Sequence, residues 1–199
     1  FPGLKRVNAY AGARSTLAKT DGELAALREA GLVRLYLGVE SGSDAVLRAV
    51  NKGVTAPEML TAGQRLVKAG FDLWTVVLIG LAGPGEKSRS HALDTAALIN
   101  AMGPRHLSAL TYLPTPGTPL ARQAERGEFQ LLDAREALEE TRLLLESLQV
   151  SPLHFTSDHA SNYLPLKGGL PEERERLLAL LDGALAGRQD VRPEFWRGL

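Results

Sequence analysis

The sequence AGLVRLYLGVE, residues 30–40, decides the fold. Gly31 follows a helical pattern and suits the left-handed residue that ends many helices, and Leu32 to Glu40 is an apolar run typical of a buried strand. The same order recurs at Ala69-Gly70 and at Met102-Gly103. Repeated helix, glycine, strand units predict consecutive βαβ crossovers and therefore a parallel sheet.

The other elements follow from apolar periodicity and from capping residues. Thr20 and Glu23 have the spacing of a capping box, and Leu73 to Leu81 lacks polar alternation, which predicts a central strand covered on both faces. The Pro-rich residues 114–119 predict a rigid loop, and Glu86 is expected to cup backbone N–H groups ahead of a helix. The predicted strands are 6–11, 32–40, 73–81, 106–113 and 153–157, and the predicted helices are 20–30, 45–50, 56–69, 90–102, 133–148 and 171–185.

Strands about 35 to 40 residues apart allow either a (β/α) barrel or an open doubly wound sheet. We predict the α/β class and a partial parallel (β/α) barrel of four to five βα units, with residues 1–199 forming a single domain. Complete barrels of this class run to about 250 residues. Because the chain has 199 residues and starts at Phe1, without Met, we expect an incomplete barrel with a cut amino terminus.

Composition limits the partners and the chemistry. The 23 basic and 23 acidic residues cancel, so no overall field favours nucleic acid or an anionic membrane, and we expect a small-molecule substrate held by local groups. The chain contains no Cys, which excludes a thiolate-ligated cluster, zinc site or thiol nucleophile built from these residues. No apolar run is long enough for a membrane span, and no signal peptide is evident, which favours the cytoplasm.

Polar residues at the predicted strand ends are the candidates for chemistry. Glu40 ends an apolar strand, so its carboxylate must be hydrated, paired or aimed at a ligand, and it could accept hydrogen bonds from a ribose diol. The alternative is that Glu40 pairs with a neighbouring Arg or Lys or caps a turn. Lys52 could meet a ligand carboxylate, although exposed lysines are common.

Residues 156–163 carry seven hydrogen-bonding side chains in eight positions, more than a loop needs for its own turns. This segment is predicted to recognise the substrate, with Asp158, His159, Asn162 and Tyr163 as its binding residues. His154 and His159 are five residues apart, which fits neither one strand face nor one helical face, so no metal site is predicted.

Four segments, in this order, resemble the radical S-adenosylmethionine (radical SAM) enzymes. LYLGVESGSD resembles the family's fourth-strand segment, LRAVNKG its Asn-Lys-Gly helix end, LIGLAG its fifth-strand turn, and PTPGTPL the loop after its sixth strand; they span residues 35–44, 47–53, 78–83 and 114–120. Residues 159–168 resemble a branch with anaerobic-cyclase-like and coproporphyrinogen-oxidase-like relatives. The resemblance covers residues 5–125.

The resemblance implies a (β/α)6-type barrel that this chain enters near the third strand, over residues 5–125, followed by carboxy-terminal helices and the substrate segment over residues 126–199. It implies that S-adenosylmethionine is the cofactor and that the residues near it are Glu40, Ser41, Lys52, Leu78 and Gly80. The family's cysteine motif lies on earlier strands, so a 4Fe-4S cluster is expected only in a longer parent protein. No catalytic residue is assigned, and this chain alone is not expected to be active.

Two other interpretations remain open. One is a cofactor-independent barrel lyase or isomerase with Glu40 as acid or base, which needs a Lys or a second carboxylate beside it. The other is a non-catalytic half-barrel that binds a partner, or a second copy of itself as a homodimer, through the sheet edge left by missing strands.

Overall fold

Six strands form one sheet in the computed structural model, which describes Gly3 and residues 6–198. The strands lie in chain order, with β1 to β5 parallel and β6 antiparallel to β5. The expected start of the barrel at residue 5 lies outside the described residues. The strands are β1 (Val7–Ala11), β2 (Leu32–Glu40), β3 (Asp72–Ile79), β4 (His106–Thr111), β5 (Leu153–Thr156) and β6 (Lys167–Leu170).

The helices connect these strands and pack side by side along one face of the sheet. Helix α1 contacts α4, α4 contacts α5, α5 contacts α7, and α7 contacts α8. This single helical layer agrees with a partial barrel and not with a doubly wound sheet, which has helices on both faces. The helices are α1 (Ala13–Leu17), α2 (Asp21–Glu29), α3 (Asp44–Ala49), α4 (Ala56–Lys68), α5 (Glu86–Met102), α6 (Pro119–Glu125), α7 (Ala134–Ser147) and α8 (Arg174–Leu185), with a 3₁₀ turn at Glu194–Trp196.

The prediction that β3 is covered on both faces is wrong. Leu73, Thr75, Val77 and Ile79 are buried under the helices, whereas the residues between them are only half-buried. A full barrel covers its inner strand face with the other strands of the barrel. Here that face is open, and apolar residues occupy both sides of the strand even though only one side is sealed.

The open face carries a row of aromatic rings, one on each of the first five strands. Neighbouring ring centroids lie 4.4–5.7 Å apart, and Trp74 stacks on His106 with 7° between the ring planes. Ring pairs at such distances stabilise the cross-strand pairing. The rings belong to Tyr10, Tyr36, Trp74, His106 and His154.

Local signals placed most helix ends correctly. The Thr20–Glu23 capping box is present, as are equivalent boxes at the starts of α4 and α7. Gly31, Gly70 and Gly103 all have positive φ, as the sequence predicted. Each of these glycines takes the left-handed conformation that turns a helix into the next strand.

Four segments differ from the prediction, and one of them is the short helix α1, which the sequence did not predict. Helix α5 begins at Glu86, and Glu86 is therefore the first helical residue, not a group ahead of a helix at Ser90. The Pro-rich loop runs into α6, because Thr118 caps it and Pro119 suits its first turn. β6 was missed because its two central residues are glycines, which have low strand propensity.

The sheet continues past residue 125, since β5 pairs with β4 and β6 pairs with β5. Residues of the predicted carboxy-terminal region therefore belong to the same sheet as the barrel strands. In the described part of the chain, no helix is both long and apolar enough to cross a membrane.

Candidate functional site

A cavity of about 390 Å³ opens at the carboxyl ends of β2, β3 and β4. Its lining includes three of the predicted cofactor residues, Glu40, Lys52 and Leu78, together with Leu81 and Tyr112. The loop after β4 and the end of α3 complete the wall with Ala49, Val50, Asn51, Thr115, Thr118, Pro119 and Leu120. The cavity lies where barrels of this class place their chemistry.

Glu40 sits in a tight turn at the end of β2. Its φ is 62°, a left-handed value that non-glycine residues seldom adopt, and the Ser41 N–H donates across it to the Val39 carbonyl at 2.8 Å. The register with β3 also shifts between Gly38 and Glu40. Such a backbone costs about 1 kcal/mol or more, so the surrounding packing must hold it, and strain of this kind is concentrated at functional sites.

Lys52 is placed by the end of α3. The Lys52 N–H donates to the Leu47 carbonyl at 2.9 Å and the Asn51 N–H donates to the Arg48 carbonyl at 3.1 Å. Asn51 has φ 54°. These two bonds and the left-handed residue form a Schellman motif, in which Asn takes the position that Gly usually fills. The backbone before Lys52 is therefore fixed, and its side chain turns toward β2.

Glu40 and Lys52 form an ion pair at the cavity mouth. Lys52 Nζ lies 2.9 Å from Glu40 Oε1, and the side chains are 25% and 24% exposed. The alternative reading of Glu40, pairing with a neighbouring Lys, is thus realised. Because both groups also line the cavity, the pair offers a bound ligand one acceptor and one donor side by side.

Tyr112 supplies an unused polar group in the same cavity. Its hydroxyl is buried and has no hydrogen-bond partner within 3.5 Å among the described residues. Burial raises the pKa of this phenol above its usual range, and the neighbouring Thr118 side chain offsets part of that rise. Its ring packs edge-on against Phe129, with centroids 6.1 Å apart. An unpartnered buried hydroxyl costs free energy unless a ligand or water satisfies it.

Ser41 and Gly80, the other two predicted cofactor residues, are not among the lining residues of the cavity. Ser41 is fully buried, and its Oγ accepts from the Ser43 N–H at 2.9 Å. The Gly80 N–H donates to Glu140 Oε1 at 2.8 Å. Both residues shape the loops that carry the lining residues.

The predicted substrate segment divides into two parts. Asn162 is buried, and its side chain accepts from the Thr111 N–H at 2.8 Å and donates to the Ala109 carbonyl at 3.0 Å. Tyr163 is also buried and donates to Glu194 at 2.7 Å. These two side chains are occupied by contacts within the protein.

Asp158 is exposed and His159 is half-buried, so these two residues of the segment are accessible to a ligand. His159 Nδ1 lies 3.0 Å from Ser161 Oγ. Among the described residues, no group of three or more His, Asp and Glu side chains is arranged to hold a metal ion.

Sequence reasoning missed Tyr112 and Glu140 as contributors. Tyr112 lies within a predicted strand that also has His106 and Ser108, and nothing in the sequence shows that its hydroxyl lacks a close hydrogen-bond partner. Glu140 could have been found, because it lies three residues after Ala137 and four before Leu144, on the apolar face of an amphipathic helix. A carboxylate at such a position has to be paired.

Comparison with known proteins finds a family model, similar sequences and similar folds. The family model of the Radical SAM superfamily matches residues 10–97. Residues 10–97 of this chain are thus similar to members of that superfamily. That matched segment contains Glu40, Lys52 and Leu78, the three predicted cofactor residues that line the cavity.

Two of the similar curated proteins are tRNA-2-methylthio-N(6)-dimethylallyladenosine synthases. The one from Shewanella sp. (strain W3-18-1) is 33% identical over 119 residues, covering 59% of this chain and 24% of the relative. The one from Legionella pneumophila (strain Corby) is 31% identical over 119 residues, covering 59% and 26%. The chain thus spans about a quarter of the length of these relatives.

Solved structures of other proteins share the fold. An Elp3 of Methanocaldococcus infernus with an N-terminal deletion gives a TM-score of 0.62 at 18% identity, covering 93% of this chain and 43% of that one. Coproporphyrinogen III oxidase from Escherichia coli gives 0.54 at 21% identity, covering 71% and 32%. The prediction of a partial parallel (β/α) barrel is confirmed.

Proposed function

We propose that this protein binds S-adenosylmethionine in the cavity at the carboxyl ends of β2 to β4. The observation that carries the proposal is the Glu40–Lys52 pair on a cavity wall within the segment that the Radical SAM superfamily model matches. In the complete protein we assign the 4Fe-4S cluster to cysteines outside this chain, since the chain has none. With such a cluster, S-adenosylmethionine would supply radical chemistry by reductive cleavage, and the residues of this chain would hold the cofactor for it.

The residues of the cavity match the parts of S-adenosylmethionine. The Glu40 carboxylate accepts hydrogen bonds from the ribose hydroxyls, and the Lys52 ammonium binds the methionine carboxylate. Leu78 and Leu81 form an apolar wall for the adenine ring, and the Tyr112 hydroxyl gains a partner. The protein's part in the chemistry is to hold the cofactor in one orientation and to exclude water.

For the substrate we propose a small molecule that reaches the site past Asp158 and His159. The formal net charge of zero gives no field that gathers a polyanion. The two curated relatives, in contrast, are named for tRNA modification. A filter-binding titration with bulk tRNA at low salt distinguishes a small-molecule substrate from a tRNA substrate. Saturable binding of tRNA would overturn the small-molecule proposal in favour of tRNA. A cytoplasmic location belongs to the same proposal.

A second candidate function is the cofactor-independent lyase or isomerase. The sequence offered no Lys beside Glu40, and the structure places Lys52 there, 2.9 Å away. A Lys amine can form an imine with a carbonyl substrate and release water once the ammonium proton has passed to a base, a role the adjacent Glu40 carboxylate could serve. Borohydride trapping with a panel of aldehydes and ketones, followed by mass spectrometry of the Lys52 peptide, tests this function.

The half-barrel interpretation predicts self-association. The outer edge of β1 has no strand partner among the described residues, and Val7 and Tyr10 there are 42% and 90% exposed. An open strand edge can pair with a second copy. Sedimentation of the wild type beside Val7→Lys, a charge that blunts edge pairing, measures whether a homodimer forms through β1.

Calorimetric titration tests the main proposal with two ligands. S-adenosylmethionine contains both the ribose that Glu40 is proposed to bind and the carboxylate that Lys52 is proposed to bind. 5′-Methylthioadenosine keeps the ribose but lacks the carboxylate. Glu40→Gln should weaken both ligands about tenfold, because each loses charge-assisted hydrogen bonds. Lys52→Met should weaken S-adenosylmethionine alone. Lys68→Met, on the exposed side of α4, is the matched control and should change neither.

The absence of saturable S-adenosylmethionine binding by the wild-type protein would contradict the proposal. Equal losses for both ligands in Lys52→Met would contradict the role given to Lys52 and leave the role of Glu40 standing.

A further inference from the structure

Glu140 is a buried carboxylate outside the cavity that binds three groups of the segment from the end of β3 to the first turns of α5. Its side chain is 0% exposed. Glu140 Oε1 accepts from the Gly80 N–H at 2.8 Å and lies 3.0 Å from His91 Nδ1, and Oε2 accepts from the Ser88 hydroxyl. The partners lie 49 to 60 residues earlier in the chain, so α7 holds β3 and α5 together through one side chain.

The segment that Glu140 holds carries part of the cavity wall. Gly80 lies between Leu78 and Leu81, which both line the cavity. Gly80, Gly83 and Gly85 all have positive φ, so the backbone from β3 to α5 has little conformational restraint of its own. The bond to Gly80 fixes this loop where it leaves the strand, and the bonds to Ser88 and His91 fix it where α5 begins.

Holding a loop with a buried carboxylate carries a large desolvation cost. Burying it costs several kcal/mol unless hydrogen bonds replace its hydration, and an apolar side chain on α7 would pack without that cost. What an apolar side chain cannot do is accept the Gly80 N–H, which lies beyond the last residue of β3 and has no strand partner. The carboxylate thus sets the direction in which the chain leaves β3.

We propose that Glu140 is a positioning residue for the cofactor cavity: it fixes the Gly80 turn and thereby the wall formed by Leu78 and Leu81. The inference rests on the proposed function, since the wall is the one assigned to adenine. Glu140 itself does not touch the ligand, because its carboxylate lies behind Gly80 and is not among the cavity's lining residues.

The experiment compares Glu140→Ala and Glu140→Gln with Leu144→Ala in the full chain. Leu144 is one turn along α7 and buried, and its apolar side chain makes no hydrogen bond, so its truncation removes packing while the three Glu140 bonds stay in place. The readouts are calorimetric affinities for S-adenosylmethionine and 5′-methylthioadenosine, urea unfolding, and amide hydrogen exchange over residues 78–91 against the rest of the chain.

Glu140→Ala should weaken both ligands about tenfold, a size typical of groups that orient a binding residue from behind, and should speed exchange in residues 78–91 selectively. Glu140→Gln keeps an acceptor for the Gly80 N–H, so its ligand affinities and its exchange rates should lie between those of the wild type and Glu140→Ala. If Glu140→Ala does not fold, Glu140→Gln takes its place in the comparison. Leu144→Ala should lower the unfolding free energy while leaving both affinities unchanged.

Unchanged affinity in a folded Glu140→Ala, or an equal loss of affinity in Leu144→Ala, overturns the inference. So does exchange that rises evenly along the chain. If the wild type binds neither ligand, the proposed function fails, and the exchange data alone then decide whether Glu140 holds the loop.

Discussion

Lys52 Nζ and Glu40 Oε1 lie 2.9 Å apart at the mouth of the cavity, and Gly38 leaves the space that both occupy. A Cβ at residue 38 would lie 2.5 Å from Glu40 Oε1 and 3.3 Å from Lys52 Nζ. The glycine two residues before the acid is therefore part of the site: its missing side chain lets the pair form over the strand.

Gly38→Ala should weaken ligand binding while changing the unfolding free energy only slightly. The clashing atoms are the ends of two flexible side chains, which can rotate away, so we expect a loss of under about 1 kcal/mol in unfolding free energy. Displacing the pair should weaken S-adenosylmethionine about tenfold, measured by calorimetry. Gly22→Ala, where the nearest atom to a new Cβ is 4.0 Å away, is the control. Wild-type affinity in Gly38→Ala would show that the pair does not bind the ligand.

Glu40→Gly and Glu40→Ala should differ in unfolding free energy but have the same affinity for S-adenosylmethionine. Both remove the carboxylate, but only glycine relieves the left-handed backbone at φ 62°. We expect Glu40→Gly to be more stable than Glu40→Ala by about 1 kcal/mol in urea unfolding. Both should weaken S-adenosylmethionine equally. Equal stabilities would mean that the turn is not strained, and unequal affinities would mean that backbone freedom contributes to binding.

The elements of the sheet were largely predictable because their signals are local. Strand β2 matches its predicted bounds, Leu32 to Glu40, and the glycine-ended crossovers fixed the parallel order. What the sequence could not show was that one face of β3 is open. Apolar residues occur on both sides of the strand, with Val77 under the helices and Val76 and Leu78 on the open side. A local pattern cannot show whether further strands cover the open side.

The site was only partly predictable, for a different reason. Glu40 stood out because a carboxylate ending an apolar strand needs a partner, and that reasoning holds. Asn162 and Tyr163 look the same in sequence whether they face a ligand or the protein, since a hydrogen-bonding side chain can serve either. Only the fold shows that Asn162 faces Ala109 and Thr111.

Asn162 extends the sheet with its side chain, and its removal should be severely destabilising. The β4–β5 pairing ends at Ser108 and Thr156, and the Asn162 amide then takes the bonds that a longer β5 would make with Ala109 and Thr111. Asn162→Ala leaves these buried groups unpaired and should cost about 3 kcal/mol in urea unfolding.

The exposed Asp158 supplies the matched control for that experiment. Asp158→Ala should change the unfolding free energy by less than about 0.5 kcal/mol, as surface substitutions do. A small loss in Asn162→Ala would contradict the structural role and return this residue to the substrate site.

Tyr163 should make the protein less stable at alkaline pH. Burial raises the pKa of Tyr163 to about 12, and its hydroxyl donates to Glu194. In the unfolded chain a Tyr phenol ionises near ~10, so between these values the unfolded state binds fewer protons and the unfolding free energy falls as pH rises. Tyr163→Phe should flatten this decline from pH 10 to 12 in urea unfolding, whereas Tyr10→Phe, on a 90% exposed ring, should not. A decline of wild-type steepness in Tyr163→Phe would place its origin in other groups.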